Sequence, residues 1–214
     1  AIVPVPDNVS FEEAAMAEPI SCTMYGNEKL DVGIGDFAVV LGEGAIGQLH
    51  AQLLKSRGAR VAMVGLIEDR LEVGKKLGVD HIIDANKADP VAEINELTGG
   101  YGADVVVVAA GVETVLRQAL EMAGRYGEVL YFAANMKETN SMPMDLIHYK
   151  ELKIIGSFDS TTSHFEKALR AVSVGKVDAK SLISHTFSLE KTAEAFSAAN
   201  DGKGMKIMIT NKEK

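Results

Sequence analysis

The segment Phe37-Ala-Val-Val-Leu-Gly-Glu-Gly-Ala-Ile-Gly47 joins a short apolar run to three glycines spaced as G-x-G-x-x-G. The apolar run predicts a buried strand, and the residues after Gly47 predict a helix. Gly42 permits a tight turn, Gly44 lets a pyrophosphate approach the backbone, and Gly47 lets the helix lie close to the sheet. The free N–H groups at a helix start attract phosphates. Because strand, glycines and helix occur in this order, we favour a dinucleotide site over a plain strand-to-helix turn, formed by Gly42, Glu43, Gly44, Ala45, Ile46 and Gly47.

Strands and helices alternate at regular spacing on both sides of this segment. Short apolar runs predict six strands, at residues 37–41, 60–64, 81–84, 104–108, 127–132 and 152–156. Helical patterns separate them, as in a doubly wound α/β fold. We therefore expect a parallel six-stranded sheet of the Rossmann type with strand order 3-2-1-4-5-6.

The two ends of the chain do not fit this alternation. Ser10 and Glu13 form a capping-box pattern that predicts a helix continuing through residues 14–17. Residues 185–189 and 205–209 predict two further strands that flank a helix at 190–199. We expect a dinucleotide-binding domain at residues 20–176, and a partial second lobe built from residues 1–19 and 177–214.

Composition excludes several classes of function. The chain has 214 residues, 47% of them hydrophobic, and a net charge of −8, which argues against nucleic acid or an anionic membrane surface as a partner. The longest apolar run, residues 105–110, is too short to span a bilayer. Cys22 is the single cysteine, so a disulfide framework within one chain is excluded. No signal-peptide pattern opens the sequence, and we expect a cytoplasmic protein.

Four segments of the chain form a recognisable combination: Gly35 to Gly47, Lys75-Lys-Leu-Gly-Val-Asp80, Ala109-Ala-Gly111 and Glu151-Leu-Lys-Ile-Ile-Gly-Ser157. Together they resemble the medium-chain zinc-dependent alcohol and polyol dehydrogenases. A fifth segment, Ala17-Glu-Pro-Ile-Ser21, is similar to the sorbitol, threonine and butanediol branch. The resemblance implies hydride transfer between NAD or NADP and a secondary alcohol of the polyol or diol class, with zinc as Lewis acid.

Two features of that family have no match in this sequence. The zinc-binding cysteine with its Gly-His-Glu stretch and the four-cysteine structural zinc loop are both missing. The chain therefore looks like the cofactor-binding domain plus the edge of a split GroES-like catalytic domain, with no catalytic residue of its own and no activity alone. The alternative is a non-catalytic dinucleotide-binding or sensing module.

The resemblance also implies roles for residues outside the glycine loop. Small residues after the fourth strand would let the nicotinamide ribose come close, and three residues after the fifth strand hold the matching place. Ordinary tight packing also explains Ala110 and Ala133. Lys206 would reach the pyrophosphate, or else is a solvated edge-strand lysine. Glu18 would lie beside the catalytic zinc, or else is a surface carboxylate at a helix end. The residues after the two strands are Ala109, Ala110, Gly111, Phe132, Ala133 and Ala134.

The choice between NAD and NADP turns on Gly65. An Asp or Glu normally follows the second strand and binds the adenosine ribose. Gly65 removes that carboxylate, so we expect weak discrimination with at most a modest lean toward NADP, and a shift toward NAD in Gly65→Asp. Arg70 is the nearest basic residue and is equally well explained as a surface arginine. Glu68 and Asp69 could serve the ribose from a shifted position.

The predicted strand Leu152-Lys-Ile-Ile-Gly156 would lie at one edge of the sheet. Exposed apolar edges are a liability unless they are covered or paired. In the family that the chain resembles, two such edges pair across a two-fold axis. We therefore expect a homodimer, or a higher homo-oligomer, built on this strand.

Overall fold

The computed structural model describes residues 2–134 and 141–211, and the remaining residues of the expected domains lie outside the described ranges. Six parallel strands form one sheet in the order β3-β2-β1-β4-β5-β6, which confirms the predicted doubly wound topology. The strands are β1 (Phe37–Leu41), β2 (Arg60–Gly65), β3 (His81–Asp84), β4 (Ala103–Val108), β5 (Ala123–Tyr131) and β6 (Lys153–Gly156). The helices are α1 (Phe11–Ala14), α2 (Ala17–Glu28), α3 (Ala45–Ser56), α4 (Glu68–Lys76), α5 (Pro90–Leu97), α6 (Glu113–Met122), α7 (Met144–Lys150), α8 (Thr162–Ser173) and α9 (Thr192–Asn200).

The centre of the sheet is apolar on both faces. Every residue of β1 is buried, as expected for a strand covered by helices on both sides. Successive side chains of a strand point to opposite faces. Val39 accordingly belongs to one apolar cluster together with Leu120 of α6. Val40 belongs to the cluster on the other face together with Leu54 of α3.

The register of the strands brings three chain segments to one edge. Leu41 is paired with Val64 of β2 and with Val108 of β4. The residues beyond these pairs, from Gly42, Gly65 and Ala109 onward, therefore lie together at the carboxyl end of the sheet. This is where ligands bind in open α/β sheets.

The chain ends form a smaller unit beside the sheet. Strands β7 (Ile183–Ser188) and β8 (Lys206–Thr210) pair in parallel as a separate two-stranded sheet. Short 3₁₀ turns at Lys180–Leu182 and Leu189–Lys191 precede β7 and α9. A third apolar cluster joins both chain ends to α3 and α8, and includes Met16, Ile20, Leu49, Leu169, Leu182 and Met208.

Some boundaries differ from the sequence-based expectations. The Ser10–Glu13 capping box is present, but α1 ends at Ala14 and α2 begins only at Ala17. Strand β5 begins at Ala123 rather than at residue 127. The Lys150 ammonium donates to the Ala123 carbonyl at 2.7 Å and so holds the chain where α6 turns into β5. In the described part of the chain, none of the helices has the length and apolar character that crossing a membrane would require.

Candidate functional site

The turn out of β1 is built around close backbone approaches. Gly42 has φ +118°, in the region that favours glycine. A Cβ on Gly47 would overlap the carbonyl oxygen of Gly42 and would lie 2.9 Å from its carbonyl carbon. No side chain fits at Gly47 unless the backbone moves, so α3 starts directly against the turn, as the sequence predicts.

The start of α3 presents its backbone to open space. Gly44 is the N-cap residue, and no side chain caps the helix. A Cβ on Gly44 would meet nothing within 4 Å. The first N–H groups of a helix have no partner within the helix and favour an anion. The open backbone at Gly44, followed directly by Ala45 and Ile46 at the start of α3, therefore fits a pyrophosphate group.

The ends of β4 and β5 complete this edge. A Cβ on Gly42 would lie 3.2 Å from the carbonyl carbon of Ala109 and 3.3 Å from the Cβ of Ala110. A Cβ on Gly111 would lie 2.5 Å from the carbonyl oxygen of Ala134. The structure thus brings Ala109 and Ala110 next to the glycine turn and Ala134 next to Gly111, and it leaves no room for a side chain at Gly111.

Phe132 and Ala133 follow β5 with different orientations. The amide of Ala133 donates to the carbonyl of Val108 at 2.9 Å, so its backbone belongs to the sheet edge. The Phe132 ring packs edge-on against His50 of α3, with ring centroids 4.5 Å apart. It also approaches Gly26 of α2, where a Cβ would lie 3.2 Å from its Cδ2. The ring therefore packs against both α2 and α3.

The space beside Gly65 at the end of β2, where an Asp or Glu usually binds the adenosine ribose, is the ribose slot. It contains a carboxylate that the sequence did not indicate. A Cβ on Gly65 would lie 2.6 Å from both Cδ and Oε2 of Glu43. Oε1 of Glu43 accepts hydrogen bonds from the amides of Leu66 at 3.3 Å and of Ile67 at 3.1 Å. The expectation that Gly65 leaves this slot without a carboxylate is wrong, because Glu43 of the glycine turn fills it.

The two predicted cationic residues lie toward the second sheet. The Arg70 guanidinium donates to the carbonyls of Gly202 and Gly204, each at 2.7 Å. It thereby ties α4 to the loop before β8. Lys206 is the first residue of β8 and is half-buried.

The residues near Glu18 do not make a metal site. Glu18 is exposed in the first turn of α2, and its Oε1 accepts from the Cys22 thiol at 3.5 Å. Burial, together with the nearby Glu18 carboxylate, raises the pKa of the Cys22 thiol, which disfavours the thiolate that a metal needs. Within residues 2–134 and 141–211, no group of three His, Cys, Asp or Glu side chains could hold a metal ion.

The parallel sheet and the glycine turn at its carboxyl edge define a dinucleotide-binding α/β protein. Residues 45–174 match the zinc-binding dehydrogenase family. The chain belongs to this family.

Known proteins of this family match nearly the whole chain. It is 35% identical over 211 residues to a sorbitol dehydrogenase of Halalkalibacterium halodurans, covering 96% of this chain and 61% of that protein. The crystal structure of 2R,3R-butanediol dehydrogenase from Bacillus subtilis superposes with a TM-score of 0.87 at 30% identity, covering 97% of this chain and 60% of that one. The chain thus spans about 60% of the length of these relatives.

Two solved neighbours carry different cofactors. A putative zinc-binding dehydrogenase from Sinorhizobium meliloti, bound to NADP, has a TM-score of 0.84 at 25% identity, and the match covers 90% of this chain and 57% of that one. A short chain alcohol dehydrogenase from Escherichia coli, complexed with NADH, has a TM-score of 0.85 at 25% identity, and the match covers 94% of this chain and 60% of that one. The fold neighbours therefore include examples with either cofactor.

The sequence assigns Glu43 only to the glycine turn and does not predict where its side chain lies. The sequence feature that bears on this is an acidic side chain inside G-x-G-x-x-G in a chain whose second strand ends in a glycine. Its meaning depends on the direction of the Glu43 side chain, which a glycine spacing does not specify.

Proposed function

We propose that this chain is the cofactor-binding part of an oxidoreductase that transfers hydride between NAD or NADP and a secondary alcohol, of the polyol or diol class. The observation that carries this proposal is the open backbone at Gly44, at the start of a helix that lies directly against Gly42. The substrate class rests on the relatives named as sorbitol and 2R,3R-butanediol dehydrogenases.

In the proposal, different described residues bind different parts of the cofactor. The start of α3, from Gly44, binds the pyrophosphate through backbone N–H groups. The small residues after β4 and β5, among them Ala110, Gly111 and Ala133, let the nicotinamide ribose approach the sheet edge. Lys206 reaches toward the pyrophosphate from β8. When bound, the nicotinamide supplies the hydride chemistry, and the chain supplies its position.

The zinc that the family name implies has no site among the described residues. Glu18 alone cannot replace the three protein ligands that a catalytic zinc takes. In the proposal, residues 1–19 and 177–214 belong to a catalytic domain of a longer protein that binds zinc elsewhere. We therefore expect no dehydrogenase turnover from the 214-residue chain supplemented with zinc.

Assembly and compartment complete the proposal. Strand β6 lies at the edge of the sheet, which supports a homodimer formed by pairing two copies of this edge. The free thiol of Cys22 fits a reducing compartment such as the cytoplasm.

Calorimetric titration of the chain with NAD and with NADP tests cofactor binding. We expect saturable binding of at least one of them. Gly44→Val is the matched variant, because the position has room for a side chain and an extended backbone, with φ −71° and ψ 179°, but the new side chain would stand where the pyrophosphate approaches. It should remain folded and lose at least about tenfold in affinity, a loss of ~1.4 kcal/mol. Absence of binding by the wild type, or unchanged binding by Gly44→Val, would contradict the proposal.

A further inference from the structure

We propose that Glu43, from within the glycine turn, acts as the ribose-binding carboxylate of this chain and selects NAD over NADP. The proposal rests on the proposed cofactor function and deepens it. It also replaces the sequence-based expectation of a modest lean toward NADP. Four observations carry it.

The first observation is the position of the carboxylate. In dinucleotide-binding folds an acidic side chain after the second strand binds the ribose 2′-hydroxyl. In this chain Gly65 ends that strand. The place of its missing side chain is taken by Glu43, whose Oε2 lies 2.6 Å from where a Cβ would be. The usual carboxylate is therefore supplied from the other side of the slot.

The second observation is how firmly Glu43 is held. It is 9% exposed, and its carbonyl oxygen accepts from Nε2 of Gln48 at 3.2 Å. The loop that it binds is fixed from behind, because Nδ2 of Asn86 donates to the carbonyl of Leu66 at 2.8 Å. A carboxylate fixed in this way has little freedom to move aside for a second negative group.

The third observation concerns hydrogen bonds that remain available. Oε1 of Glu43 takes both amide donors, from Leu66 and Ile67. Among the described residues, no donor is found for Oε2. An ionised carboxylate accepts at both oxygens, so Oε2 can accept a ribose hydroxyl. The same arrangement uses the two amides that could otherwise have held a 2′-phosphate.

The fourth observation is that Arg70 and Lys87, described basic residues near this position, are engaged with other groups. The two residues after Gly65 are apolar, and Leu66 is 60% exposed and Ile67 43% exposed. Arg70, the nearest basic residue in sequence, is committed to the carbonyls of Gly202 and Gly204. Lys87 pairs with Glu68 at 3.3 Å and with Asp84 at 3.0 Å. The slot therefore suits a neutral ribose better than a phosphate.

The test compares NAD and NADP affinities of the full chain, measured by calorimetry, in wild type and Glu43→Gln. The glutamine retains an oxygen that can accept from the two amides, and removes only the charge. We expect wild type to bind NAD at least about tenfold more tightly. Glu43→Gln should shift the ratio toward NADP by about tenfold to a hundredfold, the range for hydrogen bonds that involve a charged group.

Control variants separate this role from a general effect of charge. Glu72→Gln removes the same charge from an exposed position on α4 and should leave the ratio unchanged. Glu68→Gln and Asp69→Asn test the two other acidic residues near the slot. If either of these moves the ratio and Glu43→Gln does not, the assignment to Glu43 is overturned.

A double variant tests the inference even if Glu43→Gln does not fold. Glu43→Gly combined with Gly65→Asp moves the carboxylate to the usual side of the slot and should retain the NAD preference. Gly65→Asp alone should weaken both cofactors, because the new side chain collides with Glu43. Improved NAD binding by that single variant would overturn the inference.

The outcomes also distinguish the two proposals. If wild type binds neither cofactor, the proposed function fails, and this inference fails with it. If wild type binds cofactor but does not bind NAD at least about tenfold more tightly than NADP, the proposed function stands and the selection by Glu43 is rejected. Equal changes of the ratio in Glu43→Gln and Glu72→Gln reject it as well.

Discussion

At Gly47 and Gly65, which form a closed end of the site where β1 and β2 finish, the chain leaves no room for a side chain, whereas the outer edge of the same sheet, at β6, is open. At Gly47 and Gly65 an added Cβ would meet the Gly42 backbone and the Glu43 side chain, respectively. In β6 only Ile155 is partly buried, and the other three residues are exposed. A substitution at the closed end acts through neighbours within the chain. A substitution at the open edge can act strongly only through another molecule.

The two glycines of the closed end also differ from each other. A Cβ on Gly47 would strike backbone, which can yield only if α3 or the turn moves. A Cβ on Gly65 would strike Cδ and Oε2 of Glu43, which can rotate away at the cost of the hydrogen bonds from the amides of Leu66 and Ile67. It would also lie 2.8 Å from the Glu43 Cβ, which moves only with the backbone of the turn. Backbone packing therefore requires a glycine at position 47, whereas the Glu43 side chain requires one at position 65.

Gly47→Ala should have the largest effect. The added Cβ overlaps the Gly42 carbonyl oxygen and lies 3.4 Å from Cγ1 of Val40. We expect a loss of about 3 kcal/mol or more in the free energy of unfolding, together with loss of cofactor binding. Urea unfolding measures the first, and Gly44→Ala is the control, expected to stay within about 0.5 kcal/mol of wild type. Equal stability of the two variants would show that the backbone at Gly42 can move to accommodate a Cβ at position 47.

Gly65→Ala should cost less, about 1–3 kcal/mol, because the Glu43 carboxylate can rotate away, which leaves a smaller clash with the Glu43 Cβ than the backbone clash at Gly47. The same substitution in a Glu43→Gly background should be nearly neutral, since the colliding atoms are gone. A double-mutant cycle of unfolding free energies measures the coupling. Additive effects would mean that Glu43 does not define the space at Gly65.

These two positions show how far the sequence predicts the molecule. The strand order and the glycine turn follow from the apolar runs and from the spacing of Gly42, Gly44 and Gly47, because backbone geometry determines them. The carboxylate at Gly65 could not be predicted, because it depends on how the turn after β1 meets the loop after β2. The direction of the Glu43 side chain there leaves no periodic signal in the sequence.

Helix α3, which starts at the glycine turn, contains a buried titratable group that makes stability depend on pH. Burial lowers the pKa of His50 from 6.5 to about 3. Its Nδ1 lies 2.7 Å from the Asn27 amide nitrogen, and its Nε2 has no partner among the described residues. Below pH 6.5 the unfolded chain binds a proton at His50 and the folded chain does not. The contribution of His50 to the free energy of unfolding is therefore fully present above pH 6.5. It falls by about 1.4 kcal/mol per pH unit as the pH drops from 6.5 toward the folded-state pKa of about 3.

Urea unfolding between pH 7 and pH 4 measures this slope. His50→Gln should be less stable than wild type at pH 7, and its stability should fall less steeply as the pH drops. The exposed His185 provides the control, since His185→Gln should keep the wild-type slope. Parallel curves for wild type and His50→Gln would mean that His50 does not couple folding to protonation.

Ile154→Lys should have the smallest effect on the fold and a decisive one on assembly. Ile154 is 40% exposed on β6, and surface substitutions usually change stability by within about 0.5 kcal/mol. The neighbouring Lys153 already places a charge at this edge through its ion pair with Glu128 at 2.7 Å. Native edges use such charges against unwanted pairing. A second lysine should therefore prevent two copies of β6 from pairing, and a dimer should become a monomer.

Sedimentation velocity at micromolar concentration distinguishes the two states, and urea unfolding confirms that the fold is intact. Val174→Lys makes the same kind of change at an exposed residue after α8, where Val174 is 63% exposed, and it should leave the dimer in place. A wild type that sediments as a monomer would remove the dimer from the proposal. A dimer that survives Ile154→Lys would place the interface elsewhere, and the open edge would then be kept from aggregating by Lys153 and its short length rather than by a partner.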